Sequence, residues 1–329
     1  MRILVIGGTS FVGRHFAALA LAAGHELTLF NRGRTNPDLF PEAERIRGDR
    51  DGGLAPLAGR SWDAVLDTCG YVPRVVGDSA RLLADSVGRY AFVSTLSVHP
   101  DGVDPGTTED GPLFEPASPD GPEEVTDESY GPLKVACELA VATVFADRAL
   151  IVRPGLVVGP DDPTDRFTYW VRRIAAGGEV LAPAPPGDPV QFIDVRDLGA
   201  FLLRDLETQT AGVFSAISPP VAFGTLLEIC RTAAGSDATI TWLPGDFLRA
   251  RGVQPWSDLP LWMPDEPGSN EFDPGRALAA GLTPRPTIDT VRDTLTWDRT
   301  RAQTWPMRAG LDRDREQEIL AAARDATGP

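Results

Sequence analysis

Tyr130 and Lys134, four residues apart in Tyr130-Gly-Pro-Leu-Lys134, open a strongly helical stretch that runs to Phe145. That spacing is about one helical turn, so both side chains lie on one face. An ammonium held there lowers the phenol's pKa and leaves its hydroxyl able to give or take a proton near neutral pH. The chemistry that fits is proton transfer to or from an oxygen whose carbon gains or loses hydride.

A place for a hydride carrier lies at the start of the chain. Ile3 to Ile6 read as a buried parallel strand that runs directly into Gly7-Gly8-Thr9-Ser10-Phe11-Val12-Gly13 and then into an alanine- and leucine-rich helix over Val12–Ala23. A helix that begins at a small-residue turn offers unpaired N–H groups and the positive end of its dipole to a pyrophosphate, which makes Gly7, Thr9, Ser10, Phe11, Val12 and Gly13 candidate cofactor contacts. Ser10 takes the middle position of a G-x-x-G-x-x-G pattern. A ligand-free strand-to-helix turn fits the same residues equally well, and the segments that follow decide between the two.

After Gly24, His25–Phe30 reads as a second strand and completes a βαβ unit, whose ligand belongs at the carboxyl ends of the strands. An NAD site carries a carboxylate at the tip of that strand. Here the tip is Asn31-Arg32-Gly33-Arg34, two guanidiniums suited to a 2′-phosphate, so NADP(H) is favoured over NAD(H). Arg14 is a further candidate phosphate contact. A short third strand, Arg45–Asp49, ends in a carboxylate that could accept from the adenine amino group. A fourth, from Trp62, leads to Thr68, Cys69 and Gly70, small residues that would let the second half of the cofactor pass closely. A fifth, from Tyr90, reaches hydroxyls at Ser94, Thr95 and Ser97. Residues 100–128 show no hydrophobic period and read as a mobile flap beside the site. Ala149–Pro160 is a sixth strand with its exit loop. Helices are expected at Asp165–Ala176, Leu198–Glu207 and Thr225–Ala234, strands at Gly212–Ile217 and Thr239–Leu243, and amphipathic segments at Pro274–Gly281 and Thr287–Thr300, with a Trp- and Pro-rich stretch over Gln254–Pro267. In that stretch Trp256 and Trp262 could line an apolar pocket, though packing accounts for either.

The fold class is therefore α/β, a Rossmann-like doubly wound parallel sheet with a smaller C-terminal α/β substrate-binding part. Residues 1–160 form the dinucleotide-binding domain, 161–329 are mainly substrate-binding, and 189–210 return to the Rossmann core. The 329 residues suffice for a large core. With 47 Asp and Glu against 31 Lys and Arg, the formal net charge is −16, a field that repels nucleic acid and anionic membrane surfaces. No apolar run approaches membrane-spanning length, and the first residues form a core strand, so a cytoplasmic protein is expected. Cys69, Cys137 and Cys230 are scattered, which suggests buried free thiols and neither a metal site nor a disulfide framework.

These residues resemble the extended short-chain dehydrogenases/reductases, also called the NAD-dependent epimerase/dehydratase family, over nearly the whole chain. The likeness is carried by GGTSFVG at 7–13, the strand ending Ser94-Thr95, YGPLK at 130–134, RPGLVVGP at 153–160 and QFIDVRD at 191–197. It implies Tyr130 as catalytic acid/base, Lys134 on the nicotinamide ribose and tuning Tyr130, and Thr95 in place of a serine that holds the substrate oxygen. It also implies Arg153-Pro154 beside the nicotinamide, Arg166, Thr168, Tyr169, Trp170 and Gln191 in a substrate wall, and a homodimer through the Tyr/Lys helix and the one before it. Two departures stand out. Ser10 replaces the usual glycine, and Leu96 and Ser97 stand where sugar-nucleotide 4,6-dehydratases carry Asp and Glu, so that dehydration is disfavoured. A divergent branch similar to chloroplast RNA-binding proteins shares the GGT-x-F-[IV]-G start, although RNA suits the charge poorly. The expected function is an NADP(H)-dependent oxidoreductase acting on a carbonyl or secondary alcohol of a small molecule. The alternatives are an epimerase of a sugar or nucleotide-sugar with bound NAD(P), or a noncatalytic protein that senses NADP(H) or binds a partner.

Overall fold

The computed structural model describes residues 1–266, 268–301 and 306–326. The Pro267 end of the Trp- and Pro-rich stretch lies outside them. In chain order the strands are β1 (Arg2–Ile6), β2 (Glu26–Asn31), β3 (Glu44–Arg47), β4 (Trp62–Asp67), β5 (Val87–Val93), β6 (Ala149–Pro154), β7 (Val157–Val158), β8 (Glu179–Pro183), β9 (Pro189–Val190), β10 (Ile193–Asp194), β11 (Gly212–Ala216), β12 (Val221–Ala222) and β13 (Thr239–Leu243). The helices are α1 (Phe11–Ala22), α2 (Pro73–Leu83), α3 (Asp127–Phe145), α4 (Arg166–Ala175), α5 (Val195–Glu207), α6 (Phe223–Ala234), α7 (Gly245–Arg249), α8 (Gly275–Ala279), α9 (Thr287–Asp298) and α10 (Arg313–Ala326).

Seven parallel strands form the central sheet in the order β11-β6-β5-β4-β1-β2-β3. The order reverses between β1 and β4, and in such sheets the crevice at that reversal, beyond the carboxyl ends of the strands, takes the ligand. β1 is apolar on both faces because helices cover both. Ile3 and Val5 pack with Phe16 of α1 and with Leu198, Phe201 and Leu202 of α5, while Leu4 and Ile6 pack with Val76 and Ala80 of α2 and Val141 of α3. The C-terminal elements build a separate core in which Trp170 meets Phe223 edge-on, together with Leu226, Leu243, Val291 and Leu320. α5 returns from this part to pack against α1.

Several parts of the chain differ from the sequence expectation, among them β8 and α7, which no pattern announced. β5 stops at Val93, because Thr95 caps a short 3-10 turn over Leu96–Val98 by accepting from the Ser97 N–H. α10 was not expected, since its buried residues (Glu316, Ile319, Leu320, Ala323) include a glutamate that masks the apolar period. Segment 100–128 is not a free flap. Glu109 is buried and its carboxylate accepts from the backbone N–H of Ser215 at 2.7 Å, while its carbonyl accepts from Arg153 at 3.0 Å. Phe114 N–H donates to Val98, Ala117 N–H to Pro132 and Gly106 N–H to Glu271. Backbone bonding of this kind leaves no hydrophobic period, so the sequence pattern of an anchored loop is the same as that of a mobile one.

Candidate active site

The glycine turn sits at the strand-order reversal. Gly7 has φ +111° and Gly8 φ +91°, backbone that side chains rarely adopt. A Cβ on Gly7 would lie 2.4 Å from the Thr68 hydroxyl, and one on Gly13 2.8 Å from the Gly8 backbone nitrogen, so these glycines let β1, α1 and the end of β4 close on one another. Thr68 Oγ1 donates to the Ile6 carbonyl at 3.1 Å, and the half-buried Cys69 thiol lies beside the same oxygen. Ser10 is the N-cap of α1. It is exposed, and its hydroxyl makes no capping bond. Phe11 takes φ +27° and stacks edge-on to His15, Val12 packs inward, and the carbonyl of buried Thr9 accepts from Asn36.

Beyond β2, the Asn31 amide is spent on the turn. It donates to the Gly7 carbonyl at 2.8 Å and accepts from Gly33 N–H at 2.9 Å. Arg32 and Arg34 are exposed and have no hydrogen-bond or ion-pair partner among the described residues. Arg47, at the tip of β3, packs against Gly33 and brings a third guanidinium to the same edge. Its signal in the sequence was the basic tip of a strand paired in register with Asn31. Asp49 is exposed and accepts from the Asp51 N–H. Arg14 is half engaged elsewhere, paired to Asp161 at 2.7 Å.

α3 is positioned by its own start. Thr126 and Ser129 form a reciprocal capping box, with Asp127 and Glu128 in the first turn where the dipole favours them. Gly131 then lets the helix abut the end of β5: a Cβ there would lie 2.4 Å from the Ser97 carbonyl oxygen. The consequence is that Tyr130 comes beside Thr95, whose hydroxyl is near enough to favour the ionised phenol. Lys134 is buried between the tips of β4 and β5, donating to the Gly70 carbonyl at 2.8 Å and the Val93 carbonyl at 2.9 Å, with the Phe92 ring 4.1 Å away. One of its three N–H groups is left for a ligand. Burial pulls the Lys134 ammonium down to about 8.

The expectation that Lys134 lowers the Tyr130 pKa is not met. Burial raises the phenol above its ordinary value, and the groups that oppose the rise are the Thr95 hydroxyl and the Arg166 guanidinium. Lys134 spends its charge on two carbonyls instead. A phenol that stays protonated is suited to giving a proton to a developing alkoxide.

Glu138, one further turn along the same face, is a residue the sequence reading missed although the four-residue spacing pointed to it. It holds Arg153 through two hydrogen bonds at 2.9 and 2.7 Å and accepts from Ser94 at 2.5 Å, fixing the end of β5 against β6. Pro154 is buried at the tip of β6 and pairs in register with Ala216. Arg50 was missed as well: it clamps the fully buried Asp67 at 2.8 and 2.7 Å, and Tyr90 donates to the same carboxylate. Tyr71, largely exposed, lies 6.5 Å ring to ring from Tyr130 at the rim of the site.

The expected substrate wall is corrected at four of its five residues. Tyr169 is buried in the C-terminal core against Trp170, and Gln191 is bonded to the Ser218 and Phe272 carbonyls and the Phe272 N–H. Both are structural ties. Thr168 and Trp170 are fully buried, and Trp262 is buried in the same core. Arg166 alone of that set lies within electrostatic reach of Tyr130, with the half-buried Trp256 beneath its guanidinium. Among the described residues no cluster of three or more His, Cys, Asp or Glu is placed to hold a metal ion, and no helix is long and apolar enough to cross a membrane.

No family model matches the chain. Over 273 residues it is 27% identical to an epimerase family protein of Bos taurus, SDR39U1, a match that spans 76% of this chain and 86% of that protein. It is 23% identical to the chloroplast stem-loop binding protein of 41 kDa b of Arabidopsis thaliana over 71% of this chain and 63% of the relative. Its backbone superposes on the UDP-glucuronic acid 4-epimerase of Bacillus cereus, solved in complex with NAD, with a TM-score of 0.66 at 16% identity, covering 91% of this chain and 99% of the other.

Proposed function

We propose that the chain is an extended short-chain dehydrogenase/reductase of the NAD-dependent epimerase/dehydratase type, in keeping with its 27% identity to an epimerase family protein, and that it acts as an NADP(H)-dependent oxidoreductase on a carbonyl or secondary alcohol of a small molecule. The observation that carries this reading is the meeting of Thr95, Tyr130 and Lys134 at the carboxyl ends of β4 and β5, beside the glycine turn. The residues suit a dinucleotide: the first N–H groups of α1 and the uncapped Ser10 hydroxyl would face a pyrophosphate, and Arg32 and Arg34, without partners among the described residues, would meet a 2′-phosphate. Bound there, the nicotinamide would supply or accept the hydride. Lys134 would hold the ribose through its remaining N–H. Thr95 would orient the carbonyl oxygen, and Tyr130 would give it the proton.

The kinship with an epimerase family protein supports a second reading, a sugar or nucleotide-sugar epimerase that keeps its NAD(P). Such an enzyme would show no net oxidation of added NADPH. We further propose a homodimer through α2 and α3, where Leu82 and Leu139 are exposed, a cytoplasmic location and no nucleic-acid partner, in keeping with the charge of −16. The test is Tyr130→Phe in an NADPH-oxidation screen of carbonyl compounds. Turnover falls by roughly 10²–10⁴ while NADPH binding persists; undiminished turnover rules out the acid role, and tighter binding of NADH than of NADPH rules out the reading of Arg32 and Arg34.

A further inference from the structure

Arg166 differs from most arginines of this chain. Arg50, Arg153, Arg172, Arg173, Arg196, Arg285 and Arg301 all hold carboxylates. Arg166, partly buried at the start of α4, uses only its Nε, which donates to Thr164 Oγ1 at 3.2 Å, and neither terminal nitrogen has a hydrogen-bond partner among the described residues. The guanidinium lies 4.8 Å from the centre of the Trp256 ring, which supports one face and fixes its plane. Thr164 is itself held by Asp162 through its hydroxyl at 2.7 Å and its N–H at 2.8 Å. The second oxygen of Asp162, a residue only 1% exposed, has no hydrogen-bond partner among the described residues, and its charge is felt by Arg166 without a direct bond. The arrangement is a pre-oriented fork in a desolvated place, directed by an acid–hydroxyl–guanidinium relay and close enough to act on the Tyr130 phenol.

We propose that Arg166, supported by Trp256 and positioned by Thr164 and Asp162, anchors a carboxylate on the substrate, so that the compound transformed at Tyr130 is an oxo acid or the matching hydroxy acid. The proposal rests on the oxidoreductase reading above and narrows its substrate class. A planar guanidinium with two free terminal nitrogens matches a carboxylate in forked geometry. The molecule as a whole repels anions at a net charge of −16, so an acid is admitted only where a local cation outweighs that field, and Arg166 is such a cation at the site. The Trp256 face beside it suits an acid with a flat or apolar body.

The test uses the full chain saturated with NADPH and two probes of one shape, benzoylformate and its methyl ester. Calorimetry is expected to give binding of the acid about tenfold or more tighter than of the ester, the size of charge-assisted hydrogen bonds. Arg166→Gln brings the ratio close to one, and Arg166→Lys, which keeps the charge without the fork, restores part of it. In turnover the Gln variant raises KM for the acid far more than it lowers kcat. Absence of acid binding, equal binding of acid and ester, or a preference that survives Arg166→Gln in a folded variant overturns the proposal. Should Tyr130 have no catalytic role, turnover stays low for both probes in every variant while the binding ratio still reports on Arg166, so the two ideas fail separately.

Discussion

The proton chemistry of this chain is set one side chain at a time. Tyr130 keeps its proton because it is buried, and Lys134 has its ammonium pulled down to about 8 for the same reason. Asp205 in α5 shows the principle away from the site. Both of its carboxylate oxygens are buried without a well-formed hydrogen bond, and burial pushes the carboxyl up to about 6, against weaker opposition from the Thr210 hydroxyl and the Arg204 guanidinium. In the fold it holds its proton to that pH, whereas in the unfolded chain it releases it near the ordinary 3.8. The folded state therefore binds the extra proton in that window, and stability falls as pH rises through it. Asp205→Asn is expected to raise the melting temperature at pH 7 and to leave it nearly unchanged at pH 4; an equal gain at both would show that the carboxylate charge is not what costs stability.

At the scale of elements, the meeting of Tyr130 with Thr95 depends on a glycine between two helix residues. α3 can approach the end of β5 because residue 131 has no side chain, and a Cβ there would stand 2.4 Å from the Ser97 carbonyl oxygen and 2.6 Å from the Phe114 ring. Gly131→Ala must push the start of α3 outward, at about 1–3 kcal/mol. Turnover is expected to drop at least tenfold, with a smaller loss of NADPH affinity through Lys134 because the glycine turn is on another element; a variant with full kcat would show that the helix start tolerates the shift. The element pattern was legible where burial imposes a period. β1, β2, β4, α1, α4 and α6 lie within a few residues of their expected bounds. The capping box of α3 was not read, although Thr126 and Ser129 stand at the required spacing, because Ser129 replaces the acidic residue usual at that position.

For the whole molecule, the long acidic segment between β5 and α3 serves as a clasp. Glu109 joins β11 through Ser215 N–H and α8 through Arg276, whose Nε lies 3.3 Å from its carboxylate, and its backbone reaches Arg153 of β6. Glu109→Ala strands a buried N–H and is expected to cost about 1–3 kcal/mol, with faster proteolysis inside residues 100–128, whereas Glu109→Gln, which still presents an acceptor, retains most of the stability. Equal effects of the two changes would exclude the Ser215 bond as the source.

The sequence by itself determined the doubly wound sheet, the glycine turn and the Tyr130–Lys134 face, because each is a local matter of period, spacing or backbone freedom. Tertiary structure alone decided which charges are free. It committed Gln191, Asn31 and Arg153 to neighbours far along the chain and gave Lys134 two carbonyls in place of a phenol. Among the described residues it left Arg32, Arg34 and the terminal nitrogens of Arg166 open. A residue's type states what it can bond to, and only the packing of distant segments states what it has already bonded.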